Sequence, residues 1–276
     1  GADERLYAKY KAIAASPAAA SLSTARKAAL DHSLRDFVLS GAELRGEAKQ
    51  RFAQIQEEAA QLGQQFSEHV LDATDAYVYH ASAAEMAGVP EDTLAATRSA
   101  AQAEGHDGHK LTLQIPTYLP VMQYAHDRSL RERLYRAYVT RASEAGAAEH
   151  DNSAVMQRLL ALRHEEARLL GHANYAEVSL IPKMAQDPQQ VTDFLRDLAR
   201  RARPYAERDL AEVREFAAKE LGLADLQAWD VPYASEKLKE ARYAFSDQAV
   251  KQYFTEPKVL AGLFRIIETL FEVVIR

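Results

Sequence analysis

Residues 47–73, EAKQRFAQIQEEAAQLGQQFSEHVLDA, decide the fold. Apolar side chains recur there at Phe52, Ile55, Ala59, Leu62, Phe66 and Val70, three or four residues apart. That spacing puts them on one stripe of a long helix, since an α-helix turns once in 3.6 residues. Upstream, Leu30, Leu34, Phe37 and Val38 form a similar stripe, and Gly41 supplies its C-terminal stop. The two helices read as antiparallel neighbours packed through these stripes.

Working outward, the helical period continues almost everywhere. Leu6-Tyr7 enters a helix at once. Asp127 can cap a helix carrying Leu130, Leu134, Ala137 and Tyr138, and Asp151 or Ser153 the next, with Val155, Leu159 and Leu162 inward. That second helix stops at Leu169-Leu170-Gly171. Asp187-Pro188 pairs an N-cap with a first-turn proline and opens a long helix through Val191, Phe194, Leu198, Tyr205, Val213 and Phe216. Pro204 inside it should kink the axis or mark a break. A loop is expected around Trp229-Asp230-Val231-Pro232. After Pro257 an amphipathic helix carries Val259, Leu263, Ile266, Ile267, Leu270 and Val274 to Arg276 without a cap. Its apolar stripe predicts that the chain either self-associates through this helix or leaves it frayed.

One stretch departs from this period. Tyr77-Val78-Tyr79 and Leu111-Thr112-Leu113-Gln114-Ile115 are β-prone and bounded by breakers. They predict a short antiparallel pair joined by a helix between Pro90 and Glu104, with Pro116 and Pro120 closing the excursion. The fold class is therefore all-α with one short antiparallel β pair. The chain reads as one segment, 1–276, with a sub-boundary at 105–120, cut at both ends from something larger.

Composition narrows the function. The 276 residues are 47% apolar and 27% charged, with net charge −6 and no cysteine. Disulfides and thiolate metal sites are ruled out. No run of about 18 apolar residues occurs, so no membrane-spanning helix is expected. Gly1-Ala2-Asp3-Glu4-Arg5 carries no signal-peptide pattern, and a cytoplasmic setting fits. Arg196, Arg200, Arg201 and Arg203 sit among Asp193, Asp197, Glu207 and Asp209. That mixture describes a solvated helix face, and no nucleic-acid partner is expected.

Chemistry is harder to find. Neither a phosphate-cradling glycine loop nor a G-x-S-x-G elbow is present. His164-Glu165 begins a zinc-helix pattern, but Arg168 stands where the second histidine is needed. His164 is better read as a helix-surface residue. His106-Asp107-Gly108-His109 is the one local chelate candidate, in a turn where polar residues are expected in any case. His32, His69, His80, His126, His150 and His172 stand alone in the sequence, and the 13 tyrosines mark no site. The residues alone support a helical scaffold with no assigned catalytic, cofactor-binding or metal position.

Several segments, taken together, resemble the oligopeptidase A and thimet oligopeptidase family of zinc peptidases. They are Leu113–Met122 (LQIPTYLPVM), Leu134–Ser143 (LYRAYVTRAS), Asp151-Asn152-Ser153 and Leu160–Glu165 (LALRHE). Leu169-Leu170-Gly171, Asn174–Glu177 (NYAE), Lys183-Met184-Ala185, Trp229-Asp230 and Tyr233–Lys237 (YASEK) follow in the family's order. The resemblance implies a helical, two-lobed enzyme with a deep channel, hydrolysing short peptides with zinc. It also implies that the family's H-E-x-x-H helix and further glutamate ligand lie C-terminal to every matched segment. No zinc ligand or catalytic residue therefore transfers to a position here, and the chain alone is expected to be inactive and to bind no zinc. The alternative is a stand-alone helical module that binds peptides or a partner without catalysis. A third reading is a metal protein using His106 and His109.

Overall fold

A computed structural model describes residues 3–244 and 250–276. They are predominantly helical, with one two-stranded antiparallel sheet. The chain forms two compact units. One runs through Ala73 and from Arg141 to Pro204; the other takes Thr74–Thr140 and the chain from Tyr205 on.

The first unit opens with α1 (Glu4–Ala14), whose N-cap Asp3 accepts from the Arg5 and Leu6 amides. Helix α1 packs on α2 (Thr24–Leu39), where the Phe37 ring lies 5.4 and 5.6 Å from the rings of Tyr7 and Tyr10. Gly41 ends α2 with φ +78°; a Cβ there would meet the Phe52 ring at 2.8 Å. The long helix α3 spans Gly46–Asp75, with Phe52 and Ile55 buried and the rest of its stripe half-buried.

The polar partner of α3 is α7 (Ser153–Leu169), which runs antiparallel to it. Arg51 is bidentate to Glu165 at 2.6 and 2.7 Å, and Arg158 to Glu58 at 2.6 and 2.8 Å. Pairings 51–165 and 58–158 fix the opposed direction. The N-cap of α7 is Asn152, between the expected Asp151 and Ser153, and Asp151 accepts from the Ser153 amide and hydroxyl. Helix α7 stops before Gly171, and the His172 amide bonds back to the Ala167 carbonyl. The short α8 (Tyr175–Leu180) is capped by Asn174 and packs on α7. Helix α2 packs on α1 through Phe37, which meets Tyr7 and Tyr10, and its end at Gly41 lies against Phe52 of α3.

The second unit holds the sheet, β1 (Tyr79–Ala81) and β2 (His109–Leu111), with Tyr79 opposite Leu111 and Ala81 opposite His109. The pair exists, but its strands are shifted by about two residues from Tyr77–Tyr79 and Leu111–Ile115. Gly108 sets that register: its φ is +83°, and an added Cβ would fall 2.4 Å from the Ala81 carbonyl oxygen. Leu113 keeps the inward alternation of Leu111 beyond the ladder.

Between the strands lies α4 (Glu91–Ala103), packed on β2. Next, α5 (Ile115–Tyr124) overturns the expectation that Pro116 and Pro120 exclude helix. Pro116 sits in the first turn, whose amides have no helical acceptor, and Pro120 removes only one interior bond. Helix α6 (Arg128–Thr140) follows, capped by Asp127 through the Leu130 amide at 2.9 Å. Met86, Val89, Leu111, Leu113, Val121, Met122, Leu130 and Leu134 form the dry core among these elements.

Helix α9 (Pro188–Glu220) opens on Asp187, which accepts from the Gln190 amide at 2.7 Å. Pro204 does not end it. The unpaired backbone there faces solvent, where water replaces the lost bond. Residues 228–230 form a 3-10 turn, and α10 (Val231–Tyr243) begins directly on Pro232, so the loop expected there is helix start. The last helix, α11 (Glu256–Phe271), ends before the expected Arg276, with Glu272 left-handed at φ +54°. Its Val259, Leu263, Ile266 and Leu270 are 48, 45, 56 and 70% exposed.

Candidate functional site

The histidine candidates can now be placed. His109 enters β2 and turns inward, 2% exposed, with Nδ1 2.9 Å from Thr97 Oγ1. Burial, and after it the charge of Arg98, push its imidazole below the usual histidine range. His106 stays exposed and stacks on His80, ring centroids 4.1 Å apart. The candidate chelate is thus taken apart: His106 stays in the exposed turn, while past Gly108 His109 enters β2 on its inward face. His164 is exposed on α7 as expected, and its neighbour Glu165 is committed to Arg51. Among the described residues no three ligand-type side chains converge on one point.

What the second unit does contain is a buried ionic knot. Asp230, at 0% exposure, accepts from Arg131 Nη2 at 2.8 Å and from Arg128 Nη2 at 2.7 Å. The Gln227 amide donates to it at 3.0 Å. Arg131, itself 1% exposed, also donates to the carbonyls of Ala125 and His126 and lies 4.2 Å from the Tyr233 ring centre. Burial pushes the Asp230 carboxyl up, but the hydrogen bonds from Arg128 and Arg131 outweigh it and hold the acid below the usual aspartate range. Nearby, Tyr124 donates to the buried Glu236 at 2.9 Å, tying α5 to α10.

Beside these anchors a hollow of about 590 Å³ is lined by Gly88, Pro90, Tyr124, Lys237, Glu240 and Lys251, among others. Its charges are largely spent on each other: Lys251 binds Asp92 at 2.5 Å and Lys237 binds Glu240 at 2.9 Å.

In the first unit the buried polar anchor is Asn152. Its Nδ2 donates to the Phe66 carbonyl at 3.0 Å, leaving Oδ1 to accept from His69 Nδ1 at 3.0 Å. Tyr7 donates to Glu43 at 2.6 Å; that bond, burial and the carboxylate charge push its phenol up to about 12.

Asn152, Glu165, Gly171, Asn174, Asp230 and Glu236 all belong to the motifs that carry the family resemblance. Each has a structural task here: seam, helix stop, cap or buried anchor. Sequence reading quoted Asp230 yet placed it in a loop. The usable signal was Asp230-Val231-Pro232, a polar cap with proline in the first turn, the grammar that was read correctly at Asp187-Pro188.

Comparison with known proteins adds a second line of observation. The model of peptidase family M3 matches residues 121–276. Oligopeptidase A of Salmonella typhimurium is 48% identical over 274 residues, covering 98% of this chain and 40% of the relative. Oligopeptidase A of Haemophilus influenzae is 46% identical over 276 residues, covering 99% and 40%. A dipeptidyl carboxypeptidase of Salmonella typhimurium is 33% identical over 238 residues, covering 85% and 35%. The chain spans about 40% of the length of the oligopeptidase A relatives it matches.

Proposed function

Since this chain belongs to peptidase family M3, we propose that it is the helical scaffold of a longer, zinc-dependent oligopeptidase that hydrolyses short peptides in the cytoplasm. One observation carries the reading: 48% identity to an oligopeptidase A along 98% of the chain. Among the described residues the donors do not fit a catalytic zinc. His106 and His109 diverge, His164 lacks a partner, and a zinc centre of this kind needs three protein ligands on one point. In this reading the metal is held by residues outside these 276, and the helices here form a wall of the substrate channel.

The test is a quenched peptide of about ten residues and a folded domain, each offered to the full-length enzyme with and without chelator. Chelator-sensitive cleavage of the peptide alone is expected, with none by the 276-residue chain. Cleavage by that chain would sink the scaffold assignment; chelator-resistant cleavage by the full enzyme would sink the zinc dependence. Equal cleavage of the folded domain would refute the channel.

For the chain by itself we propose a dimer through α11. In an antiparallel pairing centred on Leu263, Val259 falls opposite Ile267 and Leu260 opposite Ile266 of a second copy. Lys258 then faces Glu268 twice, and Gly262 lets the helices approach closely. Sedimentation velocity should show a dimer that Leu263→Glu dissociates. A wild-type monomer at high concentration would end this proposal.

A further inference from the structure

His80 and His106 are far apart in sequence and neighbours in space. His80 is the middle residue of β1, paired opposite Lys110, with its side chain on the outer face. His106 stands in the turn that leads into β2, also exposed. Their rings lie 4.1 Å apart and 37° from parallel. Two imidazoles on one ion, with metal–nitrogen bonds near 2.0–2.1 Å, need their ring centres roughly 5 Å apart. Exposed side chains reach that separation by small χ rotations, with no backbone change.

The Lys110 ammonium, opposite His80 in the ladder, is ion-paired with Glu104 and thereby partly neutralised. His109, the sequence neighbour of His106, takes no part because it is turned into the core.

We propose that His80 and His106 form a two-imidazole chelate for a borderline divalent transition metal, with water completing the coordination. By ligand type and the Irving–Williams order, Cu(II) binds most tightly, and Ni(II) and Zn(II) more weakly. The inference does not rest on the peptidase reading. Because the ion bridges β1 and the α4–β2 turn only in the folded protein, it stabilises the second unit by linkage.

Titration of the 276-residue chain with Cu(II), by calorimetry and by thermal melting, tests it. One equivalent and a raised melting temperature are expected. Either His80→Ala or His106→Ala should weaken binding by about tenfold or more, a step of 1.4 kcal/mol, and abolish the thermal shift. Both positions are exposed, so the variants keep their fold; His32→Ala, on another exposed face, should bind as wild type. No Cu(II) binding by wild type, or unchanged binding in both variants, overturns the proposal.

Discussion

Arginine–carboxylate contacts stand in two opposite surroundings in this chain. Along the α3–α7 seam, the Arg51–Glu165 and Arg158–Glu58 pairs are bidentate yet 35–46% exposed. In the second unit, Arg131 and Asp230 are 1% and 0% exposed. Water screens the seam pairs and solvates each partner if the other is lost, so they set direction more than they add stability. The knot has no such fallback. Its charges were taken out of water at a cost of several kcal/mol per ion, and each depends on its partner. Geometry alone does not rank these contacts; burial does.

The largest expected effect comes from breaking the knot. Asp230→Ala leaves Arg131 charged and unpaired in the core, and urea unfolding should show a loss of about 3–5 kcal/mol. Replacing both partners, Arg131→Met with Asp230→Leu, should recover part of that loss, because the penalty is the orphaned charge.

Acid gives the next effect. Asp230 titrates below the ordinary aspartate value, so its contribution is complete above that value and is lost as pH falls through it toward the lowered one. Between about pH 5 and pH 3, the urea midpoint should fall more steeply for wild type than for Asp230→Asn. Parallel slopes would show that the knot does not govern acid stability.

Asn152→Ala tests a buried but neutral anchor in the first unit. It removes the second hydrogen bond of the Phe66 carbonyl, which keeps its helical partner, and leaves His69 Nδ1 without its acceptor; the expected loss is about 1–3 kcal/mol in urea unfolding. The smallest effect belongs to the seam. Glu58→Ala and Arg158→Ala, singly and together, should shift the urea midpoint only slightly, and added salt should erase the coupling between them. A salt-resistant coupling as large as the Asn152 effect would erase the contrast between the two regions.

The sequence made legible what depends on local chemistry. The stripe of 47–73, the caps at Asp127 and Asp187 and the stops at Gly41 and Gly171 all follow from spacing and from unpaired helix-end groups. What could not be read was partnership at long range. Nothing local tells Phe37 to choose α1, or Arg131 to find a carboxylate 99 residues on. The proline rule failed at α5 for a related reason: first-turn tolerance and tertiary packing outweighed a local preference. At the site, closeness in the sequence alone makes His106 and His109 a pair. The turn at Gly108 and the onset of β2 send them to different places and bring His80 in instead.

Arg131 and Asp230 stand 99 positions apart along the chain, which imposes a waiting time on synthesis. A ribosome adds about 5–20 residues per second, so roughly 5–20 s pass between the two side chains entering the world. The knot cannot close before then, so the last polar contact of the second unit's core is made only when the segment around residue 230 has arrived.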